Sequence, residues 1–435
     1  MTDKILRGIT LGSLGLIIEG IIGLLQIPIL LHYMSKEFVG LWVLFTSFAY
    51  IVNLTRAGLS PIVIRIAAEL KNSHDNLKIS NFFCLVSYTY KIVVCCILVT
   101  SLIIYFFYIY DILIKSQLIL EGTLVWSCVW ISYAIRSYST KNVNIINGYG
   151  ELGWDKLLQI FVSLINFISS VILLHLDFGL LGVGTAFLLS NLLYSLGASY
   201  LIKKLLPDLE IKNNVVVTYK EIFELYSKAS HMFLLDLVGF LTINADLYII
   251  ERFFGLEILP LFSALVKLVS LISSVALLIQ QMIYPYIAQN WFENQFIICK
   301  TLYYKGVYYS VGIAVLLSTI AWITAPLLIP IWLGKENYLG GTVFGSLLLL
   351  KIIYIHHCGH ASAVIATGKT AFVRPAIVNA VLSIPLAVIG AQYGIAGVIW
   401  GNLIGTLLPS IYVVHWTLRF FNKPKTNEVH YEQVS

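Results

Sequence analysis

Apolar residues run through this chain in long stretches separated by short polar turns. A window matched to the hydrocarbon thickness of a bilayer picks out twelve stretches, roughly 11–33, 39–64, 81–108, 118–140, 157–175, 179–202, 231–254, 258–288, 306–333, 342–366, 374–391 and 395–421. Their apolar positions are continuous and do not alternate, so the pattern predicts transmembrane helices and not a barrel. Several exceed the ~20 residues a crossing needs, which predicts tilt or kinks. The candidate bends are Gly58 and Pro61 near the end of the second stretch, Pro285 in the eighth, and Pro326 and Pro330 in the ninth. Proline removes a backbone donor and bends a helix.

Residues 203–230, KKLLPDLEIKNNVVVTYKEIFELYSKAS, form the longest polar interruption, with six apolar stretches on either side. The order predicts an N-terminal lobe at 1–202, a linker at 203–230, a C-terminal lobe at 231–421 and a tail at 422–435. Within the linker, Thr218 is placed to cap a short helix. Tyr219, Ile222, Phe223 and Tyr226 then recur at i, i+3, i+4 and i+7, as in an amphipathic helix lying at an interface. A plain linker fits the segment equally well.

The two sides repeat each other. FGLLGVGTAFLLSNLL at 178–193 resembles YGIAGVIWGNLIGTLL at 393–408, with Gly179 and Gly182 falling on Gly394 and Gly397. Each is preceded by a short glycine-bearing turn, INGYG at 146–150 and ATGKT at 366–370. The repeat sets the sixth stretch against the twelfth. Halves with equal numbers of crossings and the same orientation form a parallel repeat, the architecture of transporters whose halves rock about a central cavity. The predicted fold is therefore all-α and polytopic, with about 12 helices in two six-helix lobes.

Composition agrees. The chain is 59% hydrophobic and 11% charged, against about 45–50% and about 25% in soluble domains. The first stretch is too long for a signal-peptide core and has no small-residue cleavage site, so it is read as a retained helix. The six cysteines include no CxxC, and all but Cys299 lie in apolar stretches, so neither disulfides nor a zinc knuckle is expected. Twenty lysines and arginines, among them Arg65, Lys71, Arg136, Lys141, Lys203 and Lys204, fall on the side of the N-terminus. Lys36, Lys115, Arg252 and Lys335 fall on the other. The positive-inside rule then places both termini and the linker in the cytosol. The formal charge of +6 reflects this asymmetry and gives no reason to invoke nucleic acid.

EFVGLWVLFTSF at 37–48, RAGLSPIVIRIAAEL at 56–70, the INGYG turn and the GLLGVG and GIAGVI entries to the sixth and twelfth stretches form an ordered set. With them the chain resembles, over nearly its whole length, the multidrug/oligosaccharidyl-lipid/polysaccharide exporter superfamily. More narrowly it resembles the Wzx-type O-antigen flippases of the polysaccharide-transport branch. The resemblance implies a protein of the bacterial inner membrane that carries a polyprenyl-diphosphate-linked oligosaccharide between leaflets. Its partners would be membrane lipid, a coupling ion (H⁺ or Na⁺), a polymerase and a chain-length regulator. It implies no cofactor.

Charged side chains inside a bilayer cost about 2.5–3.5 kcal/mol each at a helix centre, so those retained point to function. The embedded cations are Arg56, Lys91, Lys267 and Lys351, and the embedded acids include Glu19, Asp236 and Asp246. The resemblance implies that spans one, two, seven and eight line the cavity, where Arg56 and Lys267 suit a diphosphate; pairing with a nearby acid is the other reading. Glu19, amid Gly12, Gly15, Gly20 and Gly23, and Asp246 with Asp236 are candidates for ion coupling. HHCGH at 356–360 places His356 and His360 on one helical face. With no acidic ligand nearby, sugar contact or proton sensitivity is favoured over metal. Tyr50 and Tyr248 are candidate sugar platforms. No GxxxxGK[ST] motif and no catalytic triad occurs. The competing readings are a multidrug exporter of the same fold and a membrane glycosyltransferase or O-antigen polymerase. The short loops opposite the N-terminus disfavour the latter.

Overall fold

The computed structural model describes residues 2–56, 58–71, 76–206, 218, 220–223, 225–226, 244–369 and 371–422. Those residues are mostly helical, joined by short turns, with no strand among them. Nine described helices are long and apolar enough to cross a membrane. They match the first, third, fifth, sixth and eighth to twelfth predicted crossings. The other three predicted crossings fall on a broken segment (36–70), a more polar helix (119–148) and a stretch described only over 244–254. A fold of about twelve helices fits.

α1 (Thr2–Tyr33) runs unbroken through Pro28. The second crossing is split into α2 (Lys36–Ser47), α3 (Ala49–Arg56) and α4 (Leu59–Leu70). α2 starts on Ser35, whose Oγ accepts from the Phe38 amide. The second break lies at Gly58, whose φ of 69° is left-handed and suits a residue without Cβ. Pro61 falls in the first turn of α4, where no intrahelical donor is lost. Pro285, Pro326 and Pro330 likewise sit inside unbroken helices, α11 (Ile258–Phe292) and α12 (Phe296–Leu333).

The chain divides into two compact units, residues 1–264 and 265–435. In the first, α5 (Asn76–Ile104) continues through a π-turn at Tyr105–Ile109 into α6 (Tyr110–Lys115). α7 (Ile119–Gly148) packs on α4, on α5 and on α9 (Gly179–Leu205). α8 (Leu152–His175) lies against α9 and α1. The core between α4, α5 and α7 holds Val63, Ala67, Phe83, Val86, Tyr90 and Ile145. Gly148 makes that core possible, because a Cβ there would stand 2.6 Å from the Ile64 carbonyl. The helix at 244–254, α10, belongs to this unit.

In the second unit, α13 (Gly341–Ile365) packs on α12 and α15 (Ile395–Asn422), and α14 (Val373–Gly390) on α15. α15 thus repeats the place of α9. Its core includes Ile287, Tyr303, Val364, Val413 and Phe421. On α12, Leu316, Ile320, Ile323, Leu327 and Ile331 are more than half exposed. Such an apolar face belongs in lipid.

A short helical segment is described at 220–223 and 225–226. The Thr218 amide and hydroxyl both donate to Glu221 Oε2, at 2.8 Å each, and the Ile222 amide bonds the Thr218 carbonyl. This is a one-sided capping box: Glu221 serves the Thr218 amide, while the Thr218 hydroxyl donates to the same carboxylate instead of accepting from the Glu221 amide. These bonds hold the Glu221 carboxyl below the usual carboxylate range. Phe223 is exposed and Leu225 buried, while Tyr219 lies outside the described residues.

Candidate functional site

The site residues expected from sequence fall into three groups. Near the turn between α1 and α2, the first unit brings together α2, the π-turn at Tyr105–Ile109, α6, α10 and the turn at Gly255–Leu256. Gly40 allows the closest approach: a Cβ there would stand 2.1 Å from the Leu256 carbonyl. The hydroxyls of Ser47 and Tyr248 are 3.1 Å apart, and the Tyr108 hydroxyl donates to Glu251. Between these elements lies a cavity of about 450 Å³ whose walls include Glu37, Asp111, Glu251, Lys115, Arg252 and Phe107. Below it, Tyr248 packs on Phe48, and Phe48 on Trp126, in a ring cluster that also holds Phe45 and Trp130. Trp126 and Trp130 are buried, which makes them packing groups. Tyr248 is half-buried and borders both cluster and hydroxyl pair. Asp246 is buried on the same helix.

The cations lie on different helices. Lys267 is half-buried on α11, and Lys351 is half-buried on α13 with its ammonium 5.3 Å from the centre of the Tyr354 ring. Lys91 is exposed on α5, over Tyr88 at 4.9 Å. Arg56 closes α3; its side chain and that of Tyr50 lie outside what the structure describes, as does Asp236. Glu19 is exposed midway along α1 beside the exposed Leu16, Ile17 and Ile21. It makes no hydrogen bond or ion pair with another described residue.

Two half-buried cations lie outside the expected set. Arg136 donates to Asn191 Oδ1 at 3.3 Å and sits over the Tyr194 ring at 4.6 Å. Lys141 donates to Ser87 Oγ at 2.7 Å and sits over the Tyr138 ring at 3.6 Å. Their sequence signal was a helix running past 140 to the INGYG turn.

The histidines form a chain inside the second unit. The Tyr303 hydroxyl lies 2.6 Å from His360 Nδ1, and His360 Nε2 lies 3.2 Å from His356 Nε2. His357 Nδ1 reaches Ser410 Oγ at 3.2 Å. His360 is buried with both ring nitrogens engaged, so His356, half-exposed, is the member open to a ligand. Two neutral imidazoles can share one hydrogen bond, one as donor and one as acceptor. Among the described residues, no three His, Cys, Asp or Glu side chains are grouped to hold a metal.

Embedded charge, polar clusters and long apolar helices together define a multi-pass membrane protein of the all-helical class. A family model described as "Polysaccharide biosynthesis protein" matches residues 5–291, and the chain belongs to that family. No curated protein matches it. Among solved structures it resembles an inward-facing multidrug resistance MATE family transporter of the MOP superfamily. That match has a TM-score of 0.76 and 17% identity, and covers 92% of this chain and 94% of the other. It also resembles the lipid II flippase MurJ in an inward closed conformation, with a TM-score of 0.72, 14% identity, and coverage of 94% and 87%. An outward-facing MATE family transporter matches with a TM-score of 0.61, 14% identity and 95% coverage of both chains. At these identities the likeness is one of fold.

Proposed function

We propose that this protein is a flippase that moves a polyprenyl-diphosphate-linked oligosaccharide, an O-antigen repeat unit, from the cytoplasmic to the periplasmic leaflet of a bacterial inner membrane. Membership in a polysaccharide biosynthesis family carries this reading. It is supported by a fold shared with a lipid II flippase. The excess of Lys and Arg on the side of the N-terminus supports cytosolic termini and a cytosolic linker. The linker would then tether two lobes that rock.

In this reading Arg56, Lys267 and Lys351 receive the diphosphate, whose charge offsets the cost of keeping cations in the bilayer. The polyprenyl tail stays in lipid. Tyr248, Tyr50 and the open end of the His356–His360 chain serve the sugars. Glu19, with Asp246 and Asp236, carries the coupling ion, because transport against a gradient needs a second ligand with different affinity for the two states. No bond of the substrate is broken, so no catalytic residue is assigned. Lys91 stands outside this set, because its face continues the exposed apolar stripe of α5.

The test is surface display in a bacterium lacking its own flippase. The wild-type chain should restore surface polysaccharide. Lys267→Ala and Arg56→Ala should each abolish it at unchanged protein level, with lipid-linked repeat units accumulating inside. Normal display by both stable variants would overturn the diphosphate assignment. The second reading, a multidrug exporter, draws on the MATE likeness and the Phe48–Tyr248–Trp126 ring cluster. It would be favoured by drug resistance on expression with no effect on polysaccharide.

A further inference from the structure

We propose that the outer edge of the α5–α7 seam binds the phosphate of an anionic phospholipid through Lys91 and Lys141. Two ammonium groups share one neighbourhood. Lys141 stands between Ser87 Oγ at 2.7 Å and the Tyr138 ring at 3.6 Å, and Lys91 lies over Tyr88, one helical turn along α5 from Ser87. The Ser87 and Tyr138 hydroxyls are themselves 3.4 Å apart. Through Ser87 the Lys141 ammonium is held one helical turn along α5 from the base of Lys91. No carboxylate of a described residue pairs with either. Two like charges next to neutral hydroxyls and rings leave an anionic place to be filled, and an ammonium with three donors keeps N–H groups free after the Ser87 bond.

The depth of the pair selects the ligand. Lys141 follows Ile119, the first residue of α7, by 22 residues, and Lys91 precedes Lys115 at the end of α6 by 24. At 1.5 Å per residue these are about 33 and 36 Å, just beyond the ~30 Å hydrocarbon layer. Both ammoniums therefore fall at the headgroup level of the leaflet opposite the Lys115 end, together with Tyr88 and Tyr138. Lys and Tyr belong at that level.

The surface leading to the pair selects a lipid over a free phosphate. Tyr88, Lys91, Ile92, Cys95, Val99, Leu102 and Phe106 recur along one exposed face of α5. Ile131 is exposed on α7 ten residues before Lys141. Beyond Lys91 this is an apolar track of acyl-chain length, so a bound molecule has its phosphate at the lysines and its chains along the helices. That the leaflet is the cytoplasmic one rests on the orientation proposed above; the binding itself does not.

The experiment places the purified full-length protein in phosphatidylcholine nanodiscs with and without phosphatidylglycerol and counts retained lipid by native mass spectrometry. The wild type should retain phosphatidylglycerol and unfold at a higher temperature in its presence. At about 1 kcal/mol per lysine near an anionic surface, Lys91→Gln should weaken retention on the order of fivefold. Lys91→Ala/Lys141→Ala should weaken it on the order of twentyfold or more. Lys91→Arg/Lys141→Arg and Arg65→Ala should both retain it, Arg65 being exposed and paired with Glu69. Unchanged retention in Lys91→Gln, whose side chain is exposed and whose folding is not at risk, would overturn the proposal. So would a wild type that ignores phosphatidylglycerol but binds farnesyl diphosphate at these lysines, which would make this edge a substrate site. Loss of lipid retention with intact polysaccharide display separates this inference from the flippase assignment.

Discussion

α9 and α15 occupy equivalent places in the two units, and their buried seams differ in one respect. The register that sets Gly182 on Gly397 also sets Ala186 on Gly401 and Ser190 on Gly405. Every fourth residue is small in both helices, the spacing that lets helices approach closely. In α15 the three are glycines, and the neighbour is backbone. A Cβ would stand 2.0 Å from the Gly390 carbonyl at Gly397, 2.2 Å from the Leu386 carbonyl at Gly401, and 2.4 Å from Ser383 Cα at Gly405. In α9, the Cβ at Gly182 would meet side-chain carbons at 2.9 and 3.0 Å, while Ala186 and Ser190 carry real Cβ atoms and remain buried. The repeat preserves the register of small residues and not their size. The second unit closes α14 on α15 backbone to backbone, whereas the first keeps a layer of side chains.

The largest expected effect therefore comes from one methyl group in two equivalent places. Gly401→Ala must push α14 from α15, because backbone cannot rotate aside. Overpacking of this kind costs about 1–3 kcal/mol or more, which outweighs the ~1 kcal/mol that alanine gains over glycine in a helix. The reverse change, Ala186→Gly, loses a buried methyl worth about 0.8 kcal/mol and the same helix preference, and should yield a folded protein of reduced stability. Thermal unfolding by fluorescence-detected size exclusion should rank them, with Gly401→Ala the more damaging or absent from the folded peak. A Gly401→Ala protein as stable as wild type would break the comparison.

The polar groups along the same seams differ in charge, which gives a smaller effect. Asn191 and Thr406 are equivalent positions. Asn191 accepts from the Arg136 guanidinium, which also covers the Tyr194 ring, while Thr406 Oγ1 donates to Asn379 Oδ1 at 3.1 Å. A bond to a charged group is worth about 1.5–3 kcal/mol against ~1 for a neutral one. At 3.3 Å the arginine bond sits at the weak end, and the ring contact adds about 0.5–1. Arg136→Ala should therefore cost about 2 kcal/mol and Asn379→Ala about 1, read by the same unfolding assay. Equal losses would mean that the charge adds nothing and that the seams differ only in packing.

These features mark the boundary of what the sequence displays. Apolar stretches revealed the crossings because a bilayer demands continuous hydrophobicity. The 178–193 and 393–408 match revealed α9 and α15 because glycine at a packed seam has few substitutes. The second crossing reads as a single stretch; Gly58 and Pro61 mark a bend near its end, and no glycine or proline marks the break at Phe48. Lys141 reads as a charge beyond a helix end because the apolar pattern fades there, yet α7 continues to Gly148 and carries it against α5. His356 and His360 are visible as an i, i+4 pair. Their partner Tyr303 is 57 residues away from His360, and Ser47 is 201 away from Tyr248. Pairings at such separations are set by packing, which one sequence does not spell out.

The linker has no counterpart in the repeat, and its capping box supplies the smallest effect. Thr218 donates twice to the Glu221 carboxylate, and a charged acceptor of two hydrogen bonds is harder to protonate. The Glu221 titration midpoint, followed by carboxyl carbon NMR, should lie below the ordinary ~4.3 of glutamate. Its folded value is depressed, so its contribution to the helix start is complete above the unfolded midpoint and is lost as pH falls through the folded one. Thr218→Ala removes the hydroxyl donor and keeps the amide, and should move the midpoint part of the way back up. The α9 and α15 seams, which rest on small residues, neutral contacts and an arginine that stays protonated, should show no such dependence over that range. A midpoint at the ordinary value in the wild type would show that the helix begins without the box and that the linker's start is set by the membrane surface alone.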